Sequence, residues 1–580
     1  MPCCSTSSPQ KDPIIFSSFA VFLVTSFLYI SNHRRQRQRC KENSPDKPKN
    51  VTNDSKVLAL SSSPSSSSLK CKMTDSEILR LRSRHFCGSV SVSYSNSGPL
   101  MIVGGSGSRL IDSSGRSYLD TRNNVAHCGH QNPHIISTIQ QQLGMLNTNT
   151  RYLHPNATRL ASRLASLLPD PLEIVFLVNS GSEANDLALR LARAYTQSKN
   201  MIVVDRAYHG HTLGTLEVSP YKFDCSGEFQ LTQQQRQQKD HLLNNDHVDA
   251  MAADKNDDMQ QTPGPHVWKV PCPDTYRGPH KGQDAAKLYA SYVQEACRVY
   301  TEERNEKVGA FIVEGGMSVA GVILPPPAYL KICADAVRDA GGVYIADEVQ
   351  TGFGRLGSCF WAFQYKHCNG TGGNLYTDQK KMEVGQIYDG NEEETTVIPD
   401  IVTVGKPFGN GMPLAAVITT RRISDAFEAM GVEYFNTFGG NPVCSAAGLA
   451  MLDTMEAQSL QQNAVHVGGY VQDRFRELKK DLSIIGDVRG SGLFVGIELV
   501  RDRETLEPAT AETSYLCTIL KEKYAVLTSI DGPHNNVLVV KPPMVFSVED
   551  VDCFVQSFEN AVKNDLGSAD DLKNISKTPT

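Results

Sequence analysis

The chain has 580 residues, 40% of them hydrophobic, and a formal net charge of −6 at pH 7. That apolar content suffices for a large core, and there is no excess of basic charge of the kind nucleic-acid binding requires. The 15 cysteines are scattered, odd in number and without a Cys-x-x-Cys pair, so they read as reduced thiols and suggest no metal site.

From the N-terminus, Ile14 to Ile30 is a near-continuous uncharged apolar stretch followed at once by His33-Arg34-Arg35-Gln36-Arg37-Gln38-Arg39. The length is at the short end of a membrane span, and basic residues after it favour a cytosolic C-terminal side. Residues 1–40 therefore predict a membrane anchor with the rest of the chain in the cytosol. A mitochondrial address is the alternative, since the first forty residues are rich in Ser and Arg; a cytosolic protein would follow if translation began at Met73. Residues 41–72, with the run Ser65-Ser66-Ser67-Ser68, predict a disordered linker.

Ile174 to Val178 reads as a strand, followed by Asn179-Ser180-Gly181-Ser182-Glu183-Ala184-Asn185 and then Leu187, Leu191 and Ala194 at helical spacing. Ser180 and Glu183 stand in capping-box positions. The free N–H groups of Gly181 and Ser182, at the positive end of a helix dipole, suit a phosphate. Residues 224–264 and 366–396 are polar insertions with too few apolar residues to pack. Between them come a strand over 309–314, a helix over 328–340 closed by Gly341, and a strand over 343–347 that delivers Asp347 to its carboxyl end. A third apolar run, Ile401 to Val404, ends in Gly405-Lys406-Pro407. A lysine at the end of a buried strand is a candidate Schiff-base residue, because desolvation favours its free amine. Taken singly, Asp347 reads equally well as a loop cap, Tyr208 as a core aromatic and His209 as a satisfied core histidine.

Asn-Ser-Gly-Ser-Glu-Ala-Asn, Tyr208-His209-Gly210, Asp347-Glu348-Val349-Gln350-Thr351-Gly352, Gly405-Lys406 and Thr437-Phe438-Gly439-Gly440-Asn441-Pro442, in this order, resemble the class III aminotransferases that depend on pyridoxal 5'-phosphate. The resemblance implies that Lys406 holds the cofactor and moves a proton, and that Asp347 pairs with the pyridine nitrogen. It further implies that Tyr208 stacks on the ring, Gly181 and Ser182 bind its phosphate, and Gln350 lies near its 3' oxygen. Thr437 would reach the neighbouring subunit's cofactor, which makes a homodimer with a shared site the expected assembly, or a homotetramer built from it.

Asn123 to His130, Leu146 to His154, Ser219 to Phe223 and Pro273 to Pro279 resemble more narrowly the phospho-lyase branch, which acts on phosphoethanolamine or 5-phosphohydroxy-L-lysine. Many transaminases of the class carry an arginine where Val539 stands, and a valine cannot bind a carboxylate. Lys541, two residues on, is a point charge suited to a phosphate or else a solvated strand-edge charge; Arg151 is the second cation assigned to the substrate phosphate. Two departures, Met412 for a histidine and Gly315 in place of Ser after Glu314, bear on the substrate.

The fold expected is α/β, a type I pyridoxal-phosphate transferase fold with a mainly parallel central sheet and a smaller α+β domain. The division is 73–130 and 421–564 for the smaller domain, 131–420 for the large cofactor-binding one, and 565–580 for a disordered tail. The function expected is elimination of phosphate from a phosphorylated amino alcohol, with an ω-amino-acid:keto-acid transaminase as the alternative.

Overall fold

The structure is a computed structural model that describes residues 73–95, 97–222, 266–365 and 397–566. The expected anchor, the linker, both insertions and all but the first two residues of the tail lie outside the described residues. No helix among the described residues is long and apolar enough to cross a membrane.

In chain order the strands are β1 (Ile102–Ser106), β2 (Arg109–Asp112), β3 (Ser117–Asp120), β4 (Leu172–Val178), β5 (Met201–Val204), β6 (Val267–Val270) and β7 (Ala310–Glu314). They continue as β8 (Val343–Asp347), β9 (Ile401–Val404), β10 (Ala415–Thr420), β11 (Ile485–Ser491), β12 (Phe494–Leu499), β13 (Val526–Leu527), β14 (Ser529–Asp531) and β15 (Val537–Val540). Seven of them form the central sheet in the order β4-β10-β9-β8-β7-β5-β6. Strands β7, β8 and β9 are short, rich in Val, Ile and Ala, and buried throughout, as strands covered on both faces must be.

The sheet is mixed. Strands β9, β8, β7, β5 and β6 run parallel, whereas β10 is antiparallel to both β9 and β4. The reason is the connection: Gly405 to Leu414 is too short to cross over the sheet, so the chain can only turn back. Parallel register puts Glu314 beside Asp347 and Asp347 beside Thr403, so three neighbouring strands end at one level.

The helix Tyr329–Asp339 ends where Gly341 takes φ +82° and the Gly342 N–H bonds to the Val337 carbonyl at 2.8 Å, a left-handed closure that a side chain would strain. The helix Gly181–Thr196 opens with the expected capping box: Glu183 N–H donates to Ser180 Oγ at 3.2 Å and Ser180 N–H to Glu183 Oε2 at 3.1 Å.

Two four-stranded sheets flank this core, β1-β2-β3-β13 and the antiparallel β11-β12-β15-β14. The first joins distant parts of the chain, since β3 pairs with β13 in parallel. Arg355, fully buried in the loop after β8, ties these layers together. Its Nη1 donates to the carbonyls of Leu493 at 3.1 Å and Pro542 at 2.9 Å, and its Nη2 donates to His127 Nδ1 at 3.1 Å. That fixes the His127 tautomer, so Nε2–H donates to the Phe353 carbonyl at 2.9 Å. Burial, reinforced by the adjacent guanidinium, lowers the His127 pKa to about 3 and keeps the ring neutral. Arg355→Ala should cost about 3–5 kcal/mol of stability, because it leaves two carbonyls and a histidine nitrogen unsatisfied in the core. An unchanged midpoint in denaturant unfolding would refute that role.

Candidate active site

The aligned carboxyl ends of β7, β8 and β9 open onto a cavity of about 360 Å³. Its wall includes Gly181, Ser182, Tyr208, Asp347, Gln350 and Lys406, together with Asn179, Asn185, His209, Glu314 and Met412.

Asp347 lies at the end of β8 and is 3% exposed. Its Oδ2 accepts from Asn185 Nδ2 at 2.8 Å and from His209 Nδ1 at 2.7 Å, and its Oδ1 accepts from the Val349 N–H at 3.0 Å. Thr403 Oγ1 in turn donates to Asn185 Oδ1 at 2.6 Å, which orients that amide. His209 Nε2 is buried without a partner.

Lys406 follows β9 in a short 3-10 turn with φ +25°, a conformation unfavourable for a residue with a side chain. Burial, with the positive charge of Lys541 second, lowers its pKa to about 8. About a tenth of the amine is therefore free at pH 7, far more than for an ordinary lysine. Gly405 packs against the start of the helix Gly181–Thr196: a Cβ there would lie 3.2 Å from the Gly181 nitrogen. Gly181 itself has no room for a side chain, since a Cβ would lie 2.8 Å from Val349 Cγ1.

Tyr208 is half-buried, its ring edge-on to Tyr221 at 5.8 Å, and its N–H donates to Glu314 Oε1 at 3.2 Å. Gln350 Oε1 accepts from Asn124 Nδ2 at 2.6 Å. The backbone of the Tyr208-His209 segment is held from the Ser219 to Phe223 motif, whose Ser219 Oγ accepts the His209 N–H at 2.9 Å. Glu314 is buried, and desolvation raises its carboxyl pKa to about 7.

The two cations assigned to a substrate phosphate separate, and neither is among the residues that line this cavity. Lys541 directly follows β15 and is buried, so the solvated strand-edge alternative does not hold; Nζ is 2.7 Å from Ser318 Oγ and 3.7 Å from Asp531 Oδ2. Val539 is fully buried in an apolar cluster with Val322, Leu356 and Phe494. Arg151 is not among the cavity residues of this chain. It is exposed, stacked over Phe435 at 4.1 Å and 3.9 Å from Glu433. Thr437 is likewise exposed on the segment beside it, where Thr150 Oγ1 donates to the Asn436 carbonyl at 3.1 Å. Both motifs reveal side-chain chemistry; neither reveals that these side chains face outward in a single chain.

Sequence reasoning missed Asn185, Glu314 and His209 as cavity residues. The first two carried a signal only in retrospect, each standing at the junction of a strand or helix with a quoted motif. Among the described residues no cluster of His, Cys, Asp and Glu could hold a metal.

These residues fit pyridoxal phosphate. A carboxylate with three donors and a partnerless histidine nitrogen line one part of the wall, and a glycine cradle presents the N–H groups of a helix start at another. An amine with a lowered pKa faces the same space.

The chain as a whole is similar to known proteins. The family described as aminotransferase class-III matches residues 91–562. A Drosophila melanogaster protein named alanine–glyoxylate aminotransferase 2-like is 40% identical over 85% of this chain and 88% of its own length. A Caenorhabditis elegans protein named ethanolamine-phosphate phospho-lyase homolog 1 is 36% identical over 85% and 94%. Among solved structures, an Arthrobacter phospholyase in complex with phosphoethanolamine superposes with a TM-score of 0.68 at 34% identity, covering 84% of this chain and 99% of that one.

Glu314 makes the site's state visible in stability. Its folded pKa is raised from 4.5 to about 7, so between those values the folded state holds a proton the unfolded chain has lost. Stability must then fall as pH rises through that window. Glu314→Gln should remove up to ~3 kcal/mol of that fall. Equal slopes of unfolding free energy against pH in the two proteins would count against a protonated Glu314.

Proposed function

Because the chain belongs to the aminotransferase class III family, whose members depend on pyridoxal phosphate, we propose that it is a phospho-lyase acting on a phosphorylated amine. Phosphoethanolamine and 5-phosphohydroxy-L-lysine are the two substrates considered; elimination would release phosphate and an enamine, whose imine form water hydrolyses to an aldehyde and ammonia. The observation that carries this reading is the replacement of a carboxylate-gripping arginine by the buried Val539 together with a buried ammonium two residues on, at Lys541.

Bound pyridoxal phosphate supplies an electron sink for the carbon that bears the substrate nitrogen. Asp347, held by Asn185 and His209, would pair with the pyridine nitrogen and keep it protonated. Gly181 and Ser182 would bind the cofactor phosphate, Tyr208 would cover the ring and Gln350 would stand at the 3' oxygen. Lys406, free as an amine in a useful fraction of molecules, would take the proton from the carbon bearing nitrogen. The C–O bond on the next carbon then breaks, its electrons leaving on the phosphate oxygen, and Lys541 would stabilise that departing charge.

Arg151 and Thr437 share an exposed face with Tyr152, Leu153 and Phe438, large apolar groups that a monomer has no reason to expose together. We read this face as the seat of a second copy, so that both residues would serve the neighbouring subunit's site; a homotetramer is the larger alternative. The pairing of β3 with β13 supports our division into a smaller domain over 73–130 and 421–564 and a large one over 131–420. For localisation, relatives named as mitochondrial support that address over a membrane-anchored one.

The transaminase alternative is favoured by the Drosophila relative's name. Incubation of the purified chain with each phosphorylated amine decides between them. Phosphate and ammonia should appear in equal amounts without a keto acid; strict dependence on pyruvate or 2-oxoglutarate with no phosphate released would establish the transaminase instead. Lys406→Ala should abolish turnover and change the absorbance spectrum of the bound cofactor, which no longer has a lysine to link to, while leaving the fold intact. Lys541→Ala should lower kcat/KM roughly ten- to a hundredfold, the loss of one charge-assisted contact.

A further inference from the structure

Lys541 is set by its surroundings before any substrate arrives. Its backbone N–H donates to the Thr121 carbonyl at 2.7 Å, which fixes where the side chain starts. Its Nζ then meets Ser318 Oγ at 2.7 Å and Asp531 Oδ2 at 3.7 Å. Ser318 is fully buried, and its own N–H donates to Glu314 Oε2 at 3.2 Å, so the ammonium stands two links from a residue of the cavity wall. The loop that carries Ser318 is clamped in turn: Gly532 N–H donates to the Val319 carbonyl at 3.0 Å and Arg489 Nη2 to the Gly321 carbonyl at 2.7 Å.

An ammonium has three donors and no acceptor. Ser318 takes one at hydrogen-bond distance. Asp531 stands farther off, supplying opposite charge while leaving donors for a tetrahedral anion. We propose that Ser318 and Asp531 are positioning residues that hold the ammonium of Lys541 ready for a substrate phosphate. The inference rests on the phospho-lyase reading and deepens it.

The charged groups around Lys541 make the sign definite. Burial lowers its pKa; Asp531 on β14 and Glu314 on β7 push it back up, while Arg355 after β8 and Arg122 after β3 push it down. Lys406 after β9 carries a further positive charge in the same neighbourhood. Removing the Asp531 charge therefore shifts the loss of the lysine proton to lower pH.

The test follows kcat/KM for phosphate release from phosphoethanolamine against pH in the full-length holoenzyme, with calorimetric binding of inorganic phosphate as a readout independent of turnover. In Asp531→Asn the alkaline limb should move down by about one pH unit or more, and inorganic phosphate should bind at least about tenfold more weakly above pH 8. Asp531→Glu should restore both. Ser318→Ala should weaken phosphate binding and leave the limb in place. An Asp531→Asn enzyme with the wild-type limb and wild-type phosphate affinity overturns the inference. If Lys541→Met still lowers kcat/KM for phosphate release roughly ten- to a hundredfold in that case, the phospho-lyase reading survives. Failure of the unaltered enzyme to release phosphate from either phosphoethanolamine or 5-phosphohydroxy-L-lysine overturns both.

Discussion

A carboxylate buried at the end of a central strand must be hydrogen-bonded on both oxygens or lose its charge, and the rest of this site is arranged around meeting that demand for Asp347. Its three donors come from three parts of the chain: the Val349 N–H from its own loop, Asn185 from the helix after β4, and His209 from the loop after β5. Thr403 on β9 fixes Asn185, and Lys406 lies three residues farther on. Satisfying one carboxylate thus sets the relative positions of a helix, a loop and two strands. The cavity is what lies between them.

Lys541 enters this arrangement with two consequences. As a cation it suits a phosphate oxygen. As a neighbour of Lys406 it adds to the effect of burial in lowering that amine's pKa to about 8. The group that would stabilise the departing anion therefore also favours the free base that would start the reaction, and Glu314, Asp347 and Asp531 limit how far the pKa falls.

What the sequence disclosed was mostly local. The strands before Asp347 and Lys406 are unbroken apolar runs with polar ends, and the box of Ser180 and Glu183 is a four-residue pattern, so both could be read without knowing what they touch. The reversal of β10 was missed because the hydrophobic run of a buried strand has no direction in it; only the length of the 405–414 connection bears on it. Glu314 and Asn185 went unread because their importance comes from strand register and from helix packing between separate segments of the chain. Lys541 could not be assigned from alternation alone, since period two gives a face and not what covers it. Arg151 and Thr437 show the opposite limit: a motif names a side chain's chemistry while the surface it points to depends on the assembly.

Arg355 joins residues that are far apart in the chain, from His127 through Leu493 to Pro542, and Pro542 stands beside the buried Lys541. During synthesis from the N-terminus, the central sheet can form long before residue 541 has left the ribosome, and throughout that interval the guanidinium has no carbonyl from the C-terminal segment to meet. A nascent chain in that state has most of its core and an unfinished pocket. The last fifty residues before position 566 therefore complete the packing around Arg355 and bring Lys541 into the core, and truncations within them should be exposed to quality control as incompletely packed protein instead of accumulating as a weakened catalyst.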